Sequence, residues 1–251
     1  MRDVRNGVYF ADEISEIKGG LHTYKNLGSY IKSKTIGLPQ RQRYTVKIPA
    51  RNGLVDLTET LYGADPKYNN RKLQIVLMVP DNNAIWNKVI SDISNSLHGY
   101  TKYICFDDDP SWAYHGNISI DKLQTSRLRG IITLSVDADP FRKEISNHSG
   151  SVTIDGKEYS AWKWDEFSFV DGIIYNTVES VNGTGSMIIY NAERQATVDF
   201  KSTGSISLVY GGKTYNLDPD WSTSIKMPGG KNTVTLNGNG VVYSRWRGEK
   251  I

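Results

Sequence analysis

The stretch that constrains the architecture most is KLQIVLMVPDNNAIWNKVISDISNSL, residues 72–97. Its first part, residues 72–79, is almost continuously apolar, which is typical of a strand buried on both faces. From residue 83 to 97 apolar residues recur every three or four positions, at Ile85, Trp86, Val89, Ile90, Ile93 and Leu97. This period predicts an amphipathic helix, and Gly99 can take the left-handed position that follows a helix end. A strand followed by a one-sided helix predicts a sheet that the helix covers.

The remainder of the first half supplies further strands for that sheet. Short runs rich in β-branched and aromatic residues predict strands at residues 44–48, 103–106, 117–120 and 128–136. A polar, turn-rich stretch at residues 146–150 then separates two halves of different character. We therefore expect an α+β first domain with one helix at residues 1–146.

The second half shows no helical period and many turn signals. Asp155-Gly156 and Gly211-Gly212 each separate two strand-like runs by two residues, which is the signature of a tight hairpin. Further runs bring the prediction to nine short strands, at residues 151–154, 157–159, 186–190, 196–200, 205–210, 213–217, 222–227, 232–236 and 240–243. Such spacing predicts an antiparallel β-sandwich at residues 147–251, so the whole chain is predicted to be mainly β.

Composition narrows the class of protein. The 251 residues carry a formal net charge of +3, and no apolar run reaches the roughly 18–20 residues of a membrane span. The first twenty residues are rich in charged side chains, where a signal peptide needs an apolar stretch. Cys105 is the single cysteine, which excludes an intramolecular disulfide. We expect a soluble protein that no signal peptide exports and that has no general affinity for polyanions.

No arrangement of residues in the sequence points to catalysis or to a bound metal. The histidines, at positions 22, 98, 115 and 148, are never three or four residues apart. The acidic run Asp107-Asp108-Asp109 lacks the glycine and the glutamate of a calcium loop, and it predicts an exposed turn. Cys105 lies in an apolar strand, where burial should raise the pKa of its thiol. We therefore predict no enzyme activity, no cofactor and no metal.

Carbohydrate binding is an alternative that the aromatic residues leave open. Trp162, Trp164 or Trp221 could stack on sugar rings. Tryptophans two positions apart on a strand also point the same way, so Trp162 and Trp164 equally fit the core of the sandwich. A hydrolase cleft is a more distant alternative, which no spacing rule supports, and its carboxylates would be Asp165, Glu166 and Asp171.

The most unusual feature is the segment of residues 17–55, which contains no acidic residue and eight basic ones. It is poor in aromatic residues and contains no nucleic-acid recognition motif. An acidic surface on another copy of the chain is the partner that we favour, because complementary charge sets the register of an interface. The acidic run at residues 107–109 of an adjacent copy is one candidate for that surface.

Several short motifs resemble those of one protein family in their order and spacing. Residues 47–57, KIPARNGLVDL, resemble an Ile-Pro-Gly-Arg-Asp/Asn-Gly motif, with Ala50 in place of the glycine. Later motifs follow in the same order: YNNRKL at 68–73, FDDDP at 106–110, YHGNI at 114–118, DADPF at 137–141 and KMPGGKN at 226–232. Together they resemble the distal tail proteins of long-tailed, non-contractile bacteriophages, in the compact form of lactococcal phage baseplates.

This resemblance implies a structural virion protein at the tail tip. The first domain would build a hexameric ring, the hub that joins the tail tube to the tail-tip and baseplate or receptor-binding proteins. The second domain would be a galectin-like β-sandwich that carries baseplate components outward. DNA would pass the lumen without specific binding, no membrane would be involved, and assembly would take place in the host cytoplasm. The candidates for the contact between copies are Arg41, Arg43, Lys47, Arg51 and Asp56.

Overall fold

The computed structural model describes residues 6–62, 66–80, 83–125, 129–146, 151–154, 157–160 and 177–251 of the chain. Contacts between residues divide the chain into two compact units. The first unit comprises Met1–Ile145 together with Ile251, and the second comprises Ser146–Lys250. Strands make up 62% of the structure and helices 13%, so the prediction of a mainly β fold is confirmed.

In the described part of the first unit we find ten strands, three α-helices and one 3-10 turn. In chain order they are β1 (Val8–Ala11), the 3-10 turn (Ile14–Gly19), β2 (Leu21–His22), α1 (Thr23–Leu27), β3 (Tyr30–Ile36), β4 (Thr45–Val46), β5 (Val55–Asp56), α2 (Thr58–Tyr62), β6 (Arg71–Pro80), α3 (Asn83–Leu97), β7 (Thr101–Phe106), β8 (Trp112–Thr125), β9 (Arg129–Ala138) and β10 (Arg142–Glu144).

Helix α3 begins and ends at the predicted residues, which confirms the prediction from the 3.6-residue period. Gly99 follows it with a φ of +82°, the left-handed conformation that ends a helix. The inward face of α3 shares one core with apolar residues of the strands, and the principal members are Val89, Ile93, Leu97, Phe10, Leu73, Ile75, Leu77, Ile104, Phe106, Ile118, Ile132, Leu134 and Val136. The helix therefore covers a sheet, as the sequence predicts.

The sheet of the first unit is antiparallel throughout. Its strands lie in the order β2-β1-β7-β8-β9-β6-β3. Strand β10 pairs with the first residues of β8, and β4 pairs with β5 as a separate two-stranded ladder. Both edges of β6 are paired, with β3 on one side and β9 on the other.

Three strand predictions for the first half need correction. Strand β6 is not buried on both faces: Leu73, Ile75 and Leu77 are buried, whereas Lys72 and Gln74 are exposed. The reason is that an antiparallel sheet can cover one face and leave the other partly open. The predicted strand at residues 44–48 shortens to two paired residues, and the strand at 117–120 extends to the fourteen residues of β8. Strands β1 and β3 were not predicted, because their alternation is short or mixed with lysines.

The second unit contains two very long strands in place of many short ones. Its described elements are β11 (Ser151–Ile154), β12 (Lys157–Ser160), β13 (Val178–Tyr210), β14 (Lys213–Leu217) and β15 (Thr223–Lys250). The hairpins β11–β12 and β13–β14 confirm two predictions, and Gly211 and Gly212 both have positive φ at the second turn. The turn residues Asp155-Gly156 of the first hairpin lie outside the described residues. The prediction of nine short strands is wrong.

Strands β13 and β15 pair along almost their whole length, with an irregularity between Asn191 and Gln195. Residues 195–200 pair on both edges, with residues 223–228 on one side and 244–249 on the other. Gly204, Gly238 and Gly240 lie where backbones approach closely: a Cβ on Gly240, for example, would lie 1.9 Å from the carbonyl oxygen of Thr203. These three glycines thus mark close approach inside continuous strands, where the sequence pattern predicts turns. Alternate residues fill a separate core that includes Met187, Ile189, Val198, Phe200, Leu208, Val234, Leu236, Val242 and Trp246.

Candidate assembly surface

An arm projects from the first unit between β3 and β6. The ladder of these two strands continues beyond them: the Gly37 N–H donates to the Lys72 carbonyl at 2.9 Å, and the Gln42 N–H donates to the Lys67 carbonyl at 2.8 Å. Arg41 and Tyr68 face each other as an isolated bridge. Beyond this base the chain forms the β4–β5 ladder and α2. We call residues 38–61 the arm.

The arm contributes almost nothing to the protein core. Within residues 38–61, all of which the structure describes, Pro39 and Thr58 alone are buried. None of the three clusters of buried apolar residues among the described residues includes an arm residue. The arm is therefore held by its own hydrogen bonds and by its base, not by packing.

Large apolar side chains of the arm are nevertheless exposed. The described residues include eight exposed large apolar side chains, and five of them lie in the arm: Leu38 (79% exposed), Leu54 (62%), Leu61 (56%), Tyr44 (44%) and Ile48 (43%). Exposed apolar surface that is concentrated in one segment marks an interaction site. The sequence analysis does not single out these residues as a group. The feature that could have indicated them is that they follow neither a helical nor a strand period, in a stretch that contains proline and glycine.

A small hydrogen-bond network joins the two sides of the arm next to the β4–β5 ladder. The Leu57 N–H donates to the Tyr44 carbonyl at 2.9 Å, and the Tyr44 N–H donates to the Thr58 hydroxyl at 2.9 Å. The Thr58 N–H and hydroxyl both donate to Oδ1 of Asp56. These bonds from Thr58, helped by the charges of Arg43 and Arg41, hold the pKa of the Asp56 carboxyl below its ordinary value. Asp56 thus supports the shape of the arm.

The turn between β4 and β5 contains a residue in an unusual conformation. Ala50 has a φ of +64°, in the left-handed region that favours glycine, and Gly53 follows with a φ of +83°. Ala50 is the position at which the family motif has glycine. The alanine therefore adopts a glycine-like conformation, at a cost of about 1–2 kcal/mol.

The predicted basic candidates all lie on the exposed arm. Arg41 approaches Glu59 at 3.9 Å, a distance at which an exposed ion pair contributes little. Arg43, Lys47 and Arg51 are exposed, and the described part of the chain offers them no ion-pair partner. The structure brings the cations of the arm together with its exposed apolar side chains on one segment. Their part in a contact between copies remains a prediction.

The acidic run at residues 107–109 forms a turn, as predicted, but its carboxylates are already bound within the first unit. Asp107 accepts the Gly7 N–H at 2.7 Å and lies 3.1 Å from Nε2 of His22. Asp108 accepts from Nζ of Lys34 at 2.5 Å, and Asp109 accepts from Arg142 at 2.5 Å. The expectation that this run meets the basic segment of an adjacent copy therefore loses its basis.

The histidines and the cysteine have structural roles where the structure describes them. His22 is buried, and its Nδ1 accepts the Lys25 N–H at 3.0 Å, so its Nε2 carries the proton that faces Asp107. His98 accepts the Ile120 N–H through Nδ1 at 3.1 Å, and His115 pairs with Asp139 at 2.9 Å. Burial raises the pKa of the Cys105 thiol to about 11, which confirms the prediction. His148 lies outside the described residues.

The described residues offer little that fits other kinds of site. These residues include no group of three His, Cys, Asp or Glu side chains that could hold a metal. Trp221 already has cations over its ring, Arg245 at 4.4 Å and Lys201 at 5.0 Å from the ring centroid. Trp162, Trp164, Asp165, Glu166 and Asp171 lie outside the described residues. No helix in the described ranges is long and apolar enough to cross a membrane.

Similarity to solved structures identifies the fold. The chain is similar to the crystal structure of the SPP1 Dit protein (gp 19.1), a paradigm of the hub adsorption apparatus in phages that infect Gram-positive hosts. The two structures match with a TM-score of 0.59 at 11% sequence identity. The match covers 98% of this chain and 99% of that one. The chain has the fold of a phage distal tail protein. Chains of the phage p2 baseplate in its activated conformation, with strontium and with calcium, give TM-scores of 0.39 and 0.40, with 8% and 9% identity. The strontium form is covered over 96% of this chain and 97% of that one, and the calcium form over 98% of both.

Comparison of structures detects the distal-tail fold, whereas comparison of sequences finds no match. No protein-family model matches the chain, and no curated protein sequence matches it. At 11% identity a TM-score of 0.59 still spans both units of the chain, so the shared feature is the complete fold. The fold therefore agrees with the resemblance of the motifs at residues 47–57 and beyond to distal tail proteins.

Proposed function

We propose that this chain is a structural protein of a phage tail, which assembles into a hexameric ring and joins the tail tube to the tail-tip and receptor-binding apparatus. Its first unit builds the ring, and its second unit, a galectin-like β-sandwich, offers attachment points to baseplate proteins. The ring forms in the host cytoplasm and becomes part of the virion at the tail tip. The role needs no turnover and no cofactor.

The observation that carries this proposal is the exposed apolar arm on a chain with the fold of a hub protein. An isolated chain leaves Leu38, Leu54 and Leu61 exposed to water. Burial of these side chains against a partner would lower the free energy. Complete burial of such a side chain is worth about 1.5–3 kcal/mol. Association costs roughly 4–15 kcal/mol in lost freedom, so several of these side chains must be buried together.

The arm is suited to the contacts of a closed ring. In a closed ring each copy presents two different surfaces, one that reaches out and one that receives. An arm that extends from the body of the unit is a surface that reaches out, and its cations add charge-based selection of register. The DNA that crosses the lumen is unhindered if these cations face protein, because cations that line the channel would bind phosphates.

The experiment that tests this function measures the assembly of the full chain. We expect light scattering coupled to size-exclusion chromatography to give six times the 28.2 kDa chain mass, and negative-stain images to show a ring with a central hole. Replacement of two exposed arm residues, Ile48→Ser with Leu54→Ser, should shift the protein to monomers. The control is Leu123→Ser, which removes an exposed leucine (45%) of β8 and should leave the ring intact. A chain that stays monomeric up to high concentration would sink the proposal.

A further inference from the structure

Several asparagines of the chain are followed directly by glycine. These steps are Asn6-Gly7, Asn52-Gly53, Asn182-Gly183, Asn237-Gly238 and Asn239-Gly240. At such a step the backbone nitrogen of glycine can attack the side-chain amide of the asparagine, because glycine has no Cβ that hinders the approach. The attack needs a glycine N–H that is free to lose its proton and a peptide group that is free to rotate. The fold decides which of these steps meets both conditions.

The step Asn52-Gly53 meets both conditions. It lies between β4 and β5 and belongs to neither strand, and both residues are exposed. Neither the Asn52 carbonyl nor the Gly53 N–H has a hydrogen-bond partner among the described residues. No heavy atom lies within 4 Å of a Cβ added at Gly53, so the surroundings are open. The peptide group that joins these two residues can therefore rotate without breaking a contact.

The peptide group that joins Asn6 to Gly7 is held on both of its polar atoms. The Asn6 carbonyl accepts the Ile31 N–H at 2.9 Å, and the Gly7 N–H donates to Oδ2 of Asp107 at 2.7 Å. A Cβ added at Gly7 would lie 2.2 Å from Cε1 of His22, so the surroundings are also crowded. Rotation here breaks two hydrogen bonds, and each break costs free energy.

The steps that begin at Asn237 and Asn239 lie inside β15, where this strand is paired on both edges. A Cβ added at Gly238 or Gly240 would lie 2.0 Å or 1.9 Å from a carbonyl oxygen of the neighbouring strand. The ladder bonds and the close approach fix the backbone. These two steps are therefore protected by the sheet.

The step Asn182-Gly183 is the closest counterpart of Asn52-Gly53. Both of its residues are exposed, the φ of Gly183 is +87° against +83° at Gly53, and no heavy atom lies within 4 Å of a Cβ added at either glycine. The Gly183 N–H, however, donates to Oδ1 of Asn239 at 3.1 Å. Asn182 itself pairs with Asn239 across the ladder. The two exposed steps thus differ in whether the attacking nitrogen is already engaged.

From this difference we propose that Asn52 is the residue at which the folded chain modifies itself by deamidation. The Gly53 nitrogen loses its proton to hydroxide and attacks Cγ of Asn52. A bond from this nitrogen to Cγ forms, the bond from Cγ to the amide nitrogen breaks, and ammonia leaves. Water then opens the five-membered imide at one of its two carbonyls, which gives aspartate or isoaspartate. The net reaction exchanges ammonia for water and needs no further reactant.

The modification changes the arm in two ways. It adds a carboxylate next to Arg51 and lowers the formal net charge of the chain, +3, by one unit. Isoaspartate also lengthens the backbone by one methylene group between residues 52 and 53. The inference concerns the single chain and does not rest on the proposed function.

Peptide mapping of the full chain measures the rate at every step. The protein is kept dilute at pH 8, size-exclusion chromatography verifies that it is monomeric, and pepsin digests samples at acid pH, where the attacking nitrogen keeps its proton. Mass spectrometry then follows the gain of about 1 Da at each asparagine. We expect deamidation at Asn52 to be at least about fivefold faster than at each other Asn-Gly step, because each of those must first break a hydrogen bond. In guanidinium chloride the rates should agree within about threefold, since the fold no longer distinguishes the steps.

A variant tests the physical reason. Asn239→Ala removes the side-chain acceptor of the Gly183 N–H, so the rate at Asn182 should rise at least about threefold while the rate at Asn52 stays the same. Circular dichroism verifies that this variant is folded. A rate at Asn52 that does not exceed the rate at Asn182 in the native chain would overturn the proposal. An unchanged rate at Asn182 in the variant would overturn the explanation that an engaged N–H protects the other exposed step.

Discussion

Oδ1 of Asp56 accepts hydrogen bonds from both the backbone N–H and the hydroxyl of Thr58, and the same hydroxyl accepts the N–H of Tyr44. This chain of bonds joins the two sides of the arm at the point where its tip begins. Because the arm has no apolar core, these bonds take the role that packing plays elsewhere in the protein. Asp56 is thus a supporting residue in a segment that the sequence singles out for its basic charge.

Removal of the Asp56 carboxylate should loosen the arm without unfolding the protein. We expect Asp56→Ala to accelerate tryptic cleavage after Arg43, Lys47 and Arg51 in the monomeric fraction, because the tip loses its closing hydrogen bonds. The thermal unfolding midpoint should stay unchanged, since no core cluster includes an arm residue. Asp220→Ala, an exposed carboxylate of the second unit, is the control. Equal cleavage rates in the two variants would show that Asp56 does not hold the arm.

The order of the arm should depend on pH through Asp56. The pKa of this carboxyl lies below its ordinary value in the folded protein, so its stabilising contribution is complete above the unfolded pKa of about 3.9. The contribution is lost as the pH falls through the lower, folded pKa. Hydrogen-exchange protection factors of arm amides should therefore decline below about pH 4. In Asp56→Asn the decline should be absent, and a decline of equal size there would assign it to another group.

The two left-handed residues of the β4–β5 turn should respond in opposite directions to exchange of glycine and alanine. Ala50→Gly relieves a strained φ of +64°, and Gly53→Ala introduces strain at a φ of +83°. No atom lies within 4 Å of a Cβ added at Gly53, so backbone strain alone acts there. We expect Ala50→Gly to raise the protection of the turn and Gly53→Ala to lower it, each by about 1 kcal/mol. Changes of the same sign would contradict this.

The sequence predicts well wherever one local period dominates. Helix α3 follows from a single apolar stripe closed by Gly99, and both tight hairpins follow from two-residue turn signals. The long strands of the second unit do not follow, because a glycine that permits close approach looks the same as one that makes a turn. Gly204, Gly238 and Gly240 are of the first kind.

The candidate site was predicted only in part, for a related reason. Charge counting finds the basic segment, but it cannot show which carboxylates are already bound. Asp107, Asp108 and Asp109 form the conspicuous acidic run, yet each has a partner in its own unit. Exposure of Leu54 or Leu38 is equally invisible, because a leucine in sequence gives no sign that no core lies near it. Both properties depend on tertiary contacts.

Gly240 should be among the least replaceable residues of the second unit. Its φ is +147°, and a Cβ there would lie 1.9 Å from the carbonyl oxygen of Thr203, a backbone atom that cannot move aside. We expect Gly240→Ala to lower the free energy of unfolding by more than about 3 kcal/mol, as measured by urea denaturation. Gly212→Ala is the matched control: its φ is also positive, at +75°, but open space surrounds it, so about 1 kcal/mol is expected. Equal losses would mean that the close approach of the strands is not what requires glycine.

The Cys105 thiol should be almost unreactive in the folded protein. It is buried in β7, and desolvation raises the pKa of the thiol to about 11, so the reactive thiolate is scarce at pH 8. Unfolding returns the pKa to about 8.5 and exposes the sulfur. We expect labelling by iodoacetamide at pH 8 to be more than about a hundredfold slower in buffer than in concentrated urea, because the pKa difference and burial act together. Because the pKa of the thiol is higher in the folded protein, its contribution to stability is complete below the unfolded pKa of about 8.5 and is lost as the pH rises from there to about 11. The free energy of unfolding should therefore fall as the pH rises past about 8.5. Cys105→Ala should lack that decline. Rapid labelling in buffer would place the thiol at the surface and would contradict its burial in β7.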